Sequence, residues 1–283
     1  MRKIHLICVA FLLAASVSPS AHLTAKAGQD QTDNQGIALD PYTARNIDRI
    51  IALRNAAPGL TPEETIDLIS RQFLGTPYVA NRLIGSATRP EQLVIDFRGL
   101  DCFTYLDYVE ALRHAQSRAD FVQRLIQTRY VDGDISFLKR RHFFSDWAYK
   151  APTLVRDITA DISPKAVSIR KNLDAKSDGE QYVRGLPNVE RTVTYIPSRY
   201  VDKALLDRLH TGDYIGAYTN RPGLDVSHTG IYVMTKNGPV LRNASSRKGV
   251  DKVVDSPFAQ HVKTVPGIVV YRPRYDAAAP MRE

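Results

Sequence analysis

The chain has 283 residues, 43% hydrophobic and 24% charged, with 16 glycines and 16 prolines, which excludes collagen-like, disordered and disulfide-scaffold chains. Its longest unbroken apolar stretch, Leu6 to Ala15, is shorter than the ~20 residues that cross a bilayer as a helix, excluding a multi-spanning membrane protein. The formal charge is +8, but no dense Lys/Arg block or nucleic-acid motif accompanies it, so nucleic acid is discounted as a partner.

Arg2 and Lys3, the apolar stretch and Ala25-Lys26-Ala27 match the charged, apolar and cleavage regions of a secretory signal. Residues 1–27 are read as a signal peptide removed on export, with an uncleaved N-terminal anchor as the alternative. Cys8 is followed by more apolar residues and does not read as a lipidation site. The expected product is secreted, with no stable membrane insertion. Its remaining positive charge suits an anionic envelope polymer at least as well as nucleic acid. The chain holds two cysteines, and with Cys8 in the signal, Cys102 has no internal partner. An unpaired thiol in an oxidising compartment is either buried or used chemically.

Residues 28–41 are polar and aperiodic and read as a flexible leader, with order starting near Tyr42 and a domain over 42–283. Ile47, Ile50, Ile51 and Leu53 predict a helix over Ala44 to Ala56. Thr61-Pro62-Glu63-Glu64 supplies the cap, first-turn proline and capping-box acid of a second helix that stops at Gly75. Gln92 to Phe97 reads as a short strand. Asp101 can cap a helix from Cys102 to about Gln116, with Phe103, Leu106, Val109 and Leu112 as its apolar stripe, and a further helix follows over Ser117 to Val131. Residues 132–191 read as an irregular insertion with short helices. Thr192 to Ile196, Asp213 to Thr219, His228 to Met234, Val240 to Ala244 and Gly267 to Tyr271 then predict a mostly antiparallel sheet. Helices first and strands later make this an α+β fold.

No Gly-x-Ser-x-Gly elbow, phosphate-cradling loop or His-Glu-x-x-His pair occurs, and the histidines lack zinc-ligand spacing. No metal or other cofactor is expected. What remains is a cysteine–histidine pairing. Cys102 at a helix N-terminus gains from the dipole and from unpaired N–H groups that can also receive an oxyanion, although the Asp101 charge opposes the thiolate. His228 opens a predicted strand and is the best-placed base. Asn243 can hold that imidazole in its tautomer. However, a tight turn at Asn237-Gly238 would set Asn243 opposite Tyr232, ~13 Å from His228. Reaching it needs a turn centred on Thr235-Lys236, a bulge or strong coiling. Asp225 is the alternative orienter.

Leu100-Asp101-Cys102-Phe103-Thr104, Ser227-His228-Thr229-Gly230-Ile231 and Asn243-Ala244-Ser245, in that order, resemble the NlpC-type branch of the papain-like cell-wall hydrolases. The likeness is greatest to the N-acetylmuramoyl-L-alanine amidase-like family. Gly75-Thr76-Pro77-Tyr78, Asp134-Ile135-Ser136-Phe137, the His142 to Trp147 run and Gly212-Asp213 extend the resemblance over most of the chain from Tyr42.

The resemblance implies a papain-like core, its helical half carrying the cysteine and its antiparallel sheet the histidine, interrupted by the inserted region. It also implies a periplasmic cysteine amidase acting on peptidoglycan or muropeptides. Cys102 would be the nucleophile, His228 the acid and base, and Asn243 the orienter at a position that is commonly histidine in the superfamily. Tyr78 would lie beside the nucleophile and bind substrate. Trp147, with Arg140, His142 and Asp146, would line the substrate groove. A stem-peptide endopeptidase and a non-catalytic envelope-binding protein are the alternatives.

Overall fold

The structure is a computed structural model and describes residues 39–274. The expected signal and nearly all of the expected leader lie outside the described residues. The last leader residues are ordered: Leu39 is buried, and the Asp40 carboxylate accepts from the N–H groups of Tyr42 and Thr43. That cap, with proline at the first position, starts helix α1 (Pro41–Asn55), because proline costs nothing where no N–H partner exists. Ile47, Ile50 and Ile51 face inward, whereas Leu53 lies off that stripe and is exposed. Helix α2 (Pro62–Ser70) begins with the expected Thr61–Glu64 capping box. A 3₁₀ turn follows over Arg71–Phe73, and Gly75 ends it at φ +86°.

Strands β1 (Ile84–Ser86) and β2 (Arg89–Gln92) form a separate small hairpin. The strand expected over Gln92 to Phe97 is therefore mostly loop. Its backbone is tethered by side chains: the Asp96 N–H donates to the Tyr108 hydroxyl, the Phe97 N–H donates to Thr43 Oγ1, and the Asp96 carboxylate holds Arg82 and Arg98. These contacts satisfy polar groups that a sheet neighbour would otherwise take.

Helices α3 (Cys102–Leu112) and α4 (Arg118–Arg129) follow, capped by Asp101 and Ser117. Leu106, Val109 and Leu112 of α3 share one core with Phe121, Leu125 and Ile126 of α4. Inside that core Arg129 Nε donates to Asp107 at 2.8 Å and Nη1 donates to the Val94 carbonyl at 2.7 Å. A buried charge is tolerated only when paired in this way.

The remaining elements are α5 (Asp146–Tyr149), β3 (Val155–Asp157), α6 (Thr159–Ile162), β4 (Val167–Leu173), β5 (Val189–Pro197) and α7 (Lys203–Leu206). Then come β6 (Tyr214–Tyr218), β7 (Val226–Thr235), β8 (Gly238–Ser245), β9 (Lys252–Pro257), α8 (Phe258–Val262) and β10 (Gly267–Pro273). The large sheet is antiparallel with order β4-β5-β10-β6-β7-β8-β9, and β3 also pairs with β10. The α+β expectation holds. The segment expected to be irregular carries β3, β4 and the start of β5, with β4 paired along its whole length to β5.

Side chains alternate across the sheet. Tyr214, Ile231, Val233, Val269 and Tyr271 pack toward the core shared with α1–α4. Ile215, Tyr232, Leu241, Ile268 and Val270 form a second core with Leu205 of α7 and with Phe258 and Val262 of α8.

Candidate active site

Asp101 stands in an extended conformation before α3 and accepts, through Oδ1, from the N–H groups of Phe103 and Thr104, while its own N–H donates to Thr104 Oγ1. Two donors expected to be free for an oxyanion are therefore taken by the cap. Among the described residues, the Cys102 N–H has no acceptor. Cys102 itself is half-buried. Thr229 of β7 fastens this turn to the sheet, its Oγ1 donating to the Cys102 carbonyl at 3.0 Å.

His228 lies next to Thr229, after a β-bulge: Ala217 pairs with His228 and Tyr218 with Val226, leaving Ser227 extra. The β7–β8 hairpin pairs Thr235 with Gly238, Met234 with Pro239 and Ile231 with Arg242. Its two-residue turn is thus Lys236-Asn237, between the two registers weighed from sequence. Asn243 falls opposite Gly230, diagonal to His228 and on the same face. The His228 Nε2–Asn243 Oδ1 distance is 2.9 Å. Asn243 Nδ2 donates to the Leu241 carbonyl and to Ser256 Oγ, which turns Oδ1 toward the ring. The proton is consequently on His228 Nε2, which leaves Nδ1 as the acceptor nitrogen, and the Cys102 thiol and this imidazole are near enough to shift each other's protonation.

The electrostatics follow from this contact. Burial, the largest influence, pushes the Cys102 thiol up, but the hydrogen bond and charge of His228 outweigh it and the net shift is downward; the Thr229 N–H helps and Asp101 opposes. Burial likewise pushes His228 down, but Cys102 and then Asn243 overcome it and its pKa is raised. A lowered thiol beside a raised imidazole favours the thiolate–imidazolium pair.

Tyr78 is close enough to this pair for the Cys102 and Asp101 charges to add to burial in raising its phenol. Its backbone is clamped: the Tyr78 N–H donates to the Asp251 carbonyl, and the Val79 N–H and the Pro77 carbonyl both bond Leu100. This explains the Gly75-Thr76-Pro77-Tyr78 signature as a splice between β9 and the approach to Cys102.

Two expectations are corrected. Trp147 is 0% exposed and packs between Phe103 and Tyr214 at 5.7 and 5.3 Å, so it has no face for a ligand and belongs to the core. Its neighbours are structural too. Asp146 is buried and binds Arg191 and Lys150, Arg140 pairs with Glu91, and the His142 ring bonds the Phe137 carbonyl. Asp225 does not orient His228. Its buried carboxylate accepts from the N–H groups of Ser145 and Val226, each at 2.7 Å, and pins α5 to the start of β7.

Thr229, Ser256, Arg247 and His261 were not singled out from sequence. His261 of α8 lies 6.1 Å, ring to ring, from His228 and shares with it a cleft of about 190 Å³. Only the folding of β9 and α8 over the hairpin brings it there, so no local pattern marks it. No cluster of three or more potential metal ligands occurs among the described residues.

The fold and site define an α+β protein with a cysteine–histidine–asparagine cluster at the junction of a helix and an antiparallel sheet. Residues 68–268 match the AmiA-like family, described as N-acetylmuramoyl-L-alanine amidase-like. The solved structure of an N-acetylmuramoyl-L-alanine amidase from Bacteroides uniformis is similar at 30% identity and a TM-score of 0.65, over 75% of this chain and 99% of that one. A Bacteroides fragilis protein described as a candidate xylanase is similar at 29% identity and TM-score 0.58, over 72% and 98% of the two chains. A protein from Legionella pneumophila shares the fold at 24% identity and TM-score 0.68, over 82% and 94%. No curated protein matches the chain significantly. The chain belongs to the AmiA-like, N-acetylmuramoyl-L-alanine amidase-like family.

Proposed function

We propose that the protein is a cysteine amidase that hydrolyses the bond between the lactyl group of N-acetylmuramic acid and L-alanine in peptidoglycan or muropeptides. The observation that carries the mechanism is the hydrogen bond between His228 and Asn243 on the sheet, with His228 acting on Cys102 at the N-terminus of α3. The Cys102 thiolate attacks the lactyl carbonyl, and the Cys102 N–H is placed to stabilise the oxyanion. His228 gives its proton to the departing alanine nitrogen, leaving a thioester. Water, deprotonated by His228, then releases the sugar carboxylate and restores the thiol. Asn243 keeps the imidazole in plane through both steps, and Tyr78 borders the acyl site.

This reading takes the core as papain-like and NlpC-type, with the inserted region over 132–191, and the order of the three motifs supports it. It takes residues 1–27 as an export signal, followed by a leader that ends before the buried Leu39, and the mature protein as periplasmic. No helix among the described residues is long and apolar enough to cross a membrane. In most glycosidases, cleavage uses two carboxyl groups flanking the bond. The cleft beside His228 has none in its lining, and the Asp101 carboxylate is occupied as a cap.

Mass spectrometry of defined muropeptides incubated with wild type and Cys102→Ala tests the bond. Release of intact stem peptide by wild type alone is expected. A shortened stem would indicate an endopeptidase, and no product from either protein would indicate a binding role.

A further inference from the structure

The cleft beside His228 carries more than the catalytic contacts explain. Its wall includes the hydroxyl-bearing residues Ser227, Ser245, Ser246 and Thr264, together with Arg247 and His261, and no acidic residue. Arg247 follows β8 on an exposed turn, where its N–H donates to Ser245 Oγ. Its guanidinium has no carboxylate partner among the described residues, and its positive charge acts on both His228 and His261. His261 is only 7% exposed, and its Nε2 is buried without a hydrogen-bond partner. One arginine and two histidines thus line a polar cleft whose wall holds no carboxylate.

The chemistry proposed above says what passes through it. The general acid must reach the leaving nitrogen, so the departing peptide lies against His228, whose ring lines this cleft, and Ser246 of the same lining interacts with Tyr78 beside Cys102. A stem peptide carries free carboxylates close to the alanine that leaves. A guanidinium is the side chain whose paired N–H groups match a carboxylate. We infer that Arg247 and the hydroxyl-lined cleft beside His228 form the subsite for a stem-peptide carboxylate, which makes Arg247 a specificity-determining residue. The inference rests on the amidase reading for the identity of the ligand.

Binding to the inactive Cys102→Ala protein, measured by calorimetry, tests the subsite apart from turnover. The probes are N-acetylmuramoyl-L-alanyl-D-isoglutamate, the same compound with both carboxylates amidated, and N-acetylmuramic acid, whose lactyl carboxylate is free. The diacid is expected to bind about 10-fold more tightly than the diamide, the scale of one charge-assisted contact. Arg247→Met should bring the two within about twofold, and Arg247→Lys should keep part of the preference. Equal binding of diacid and diamide, an unchanged preference in Arg247→Met, or Arg247-dependent capture of N-acetylmuramic acid in place of the diacid would overturn it. Turnover is scored separately with wild type. If no alanyl peptide is released, the amidase reading fails, while the calorimetry still decides whether a carboxylate is held.

Discussion

A free thiol with a pKa near 8.5 is mostly protonated at neutral pH, and Cys102 escapes that limit through its neighbours. Its lowered pKa and the raised pKa of His228 bound a window. Below the first the thiolate is protonated, and above the second the imidazolium is lost, so the ion pair exists between them. Iodoacetamide should therefore alkylate Cys102 with an inflection below that of an ordinary thiol. In His228→Ala the inflection should move up and the rate at pH 6.5 should fall by about 10-fold or more, one pKa unit being tenfold. Superimposable profiles would contradict the pairing. At this scale the sequence is informative where chemistry is exclusive: one unpaired cysteine, and one histidine opening a strand. It is ambiguous for Trp147, because an aromatic run looks the same whether it lines a groove or fills a core, and only three-dimensional packing distinguishes them.

At the scale of elements, the site depends on how closely β7 and β8 approach. Gly230 lies opposite Asn243, and a Cβ there would stand 2.8 Å from the Leu241 side chain and 3.0 Å from the Arg242 carbonyl. Arg242 next to it is fixed by Asp255 at 2.7 Å and Asp67 at 2.8 Å, tying β8 to β9 and α2, so the hairpin has little freedom to open. Gly230→Ala should cost roughly 1–3 kcal/mol, as overpacking does, and lower kcat/KM by about 10-fold as the His228–Asn243 contact lengthens. Thermal unfolding and kinetics check both, and an alanine variant equal to wild type would refute the close-approach argument. β7 and β8 were legible from their β-branched and aromatic runs. β4 was not, because most of this strand is exposed and polar and shows no inward alternation. Nor was β9, whose Lys252–Pro257 run is half polar. The hairpin turn lies one residue earlier than Asn237-Gly238 implies, which shifts the pairing by two, for a physical reason: Asn237-Gly238 is a strong turn signal, yet Gly238, at φ +103°, pairs as the first residue of β8.

Over the whole molecule, burial holds several ionisable groups in their neutral forms, and this sets the response to acid. Burial pushes His114, His142 and His261 down to about 4. A histidine neutral in the fold but free to charge when unfolded contributes its full stability above about pH 6.5 and loses it as pH falls toward 4. Asp157 and Asp225, raised chiefly by burial, act in the opposite sense, since the fold takes up their protons first. One histidine is therefore read as a difference. The urea-unfolding free energy of His261→Gln should fall less steeply between pH 7 and 4.5 than that of wild type, by on the order of 1–3 kcal/mol. Parallel curves would show that His261 titrates normally in the fold.

The account stands most directly on the covalent intermediate. Wild-type protein mixed with a muropeptide, quenched in acid within the first turnover and digested for mass spectrometry, should carry an adduct on the Cys102 peptide with the mass of an N-acetylmuramoyl group. An adduct with the mass of a stem-peptide fragment, or continued turnover by Cys102→Ala, would contradict it.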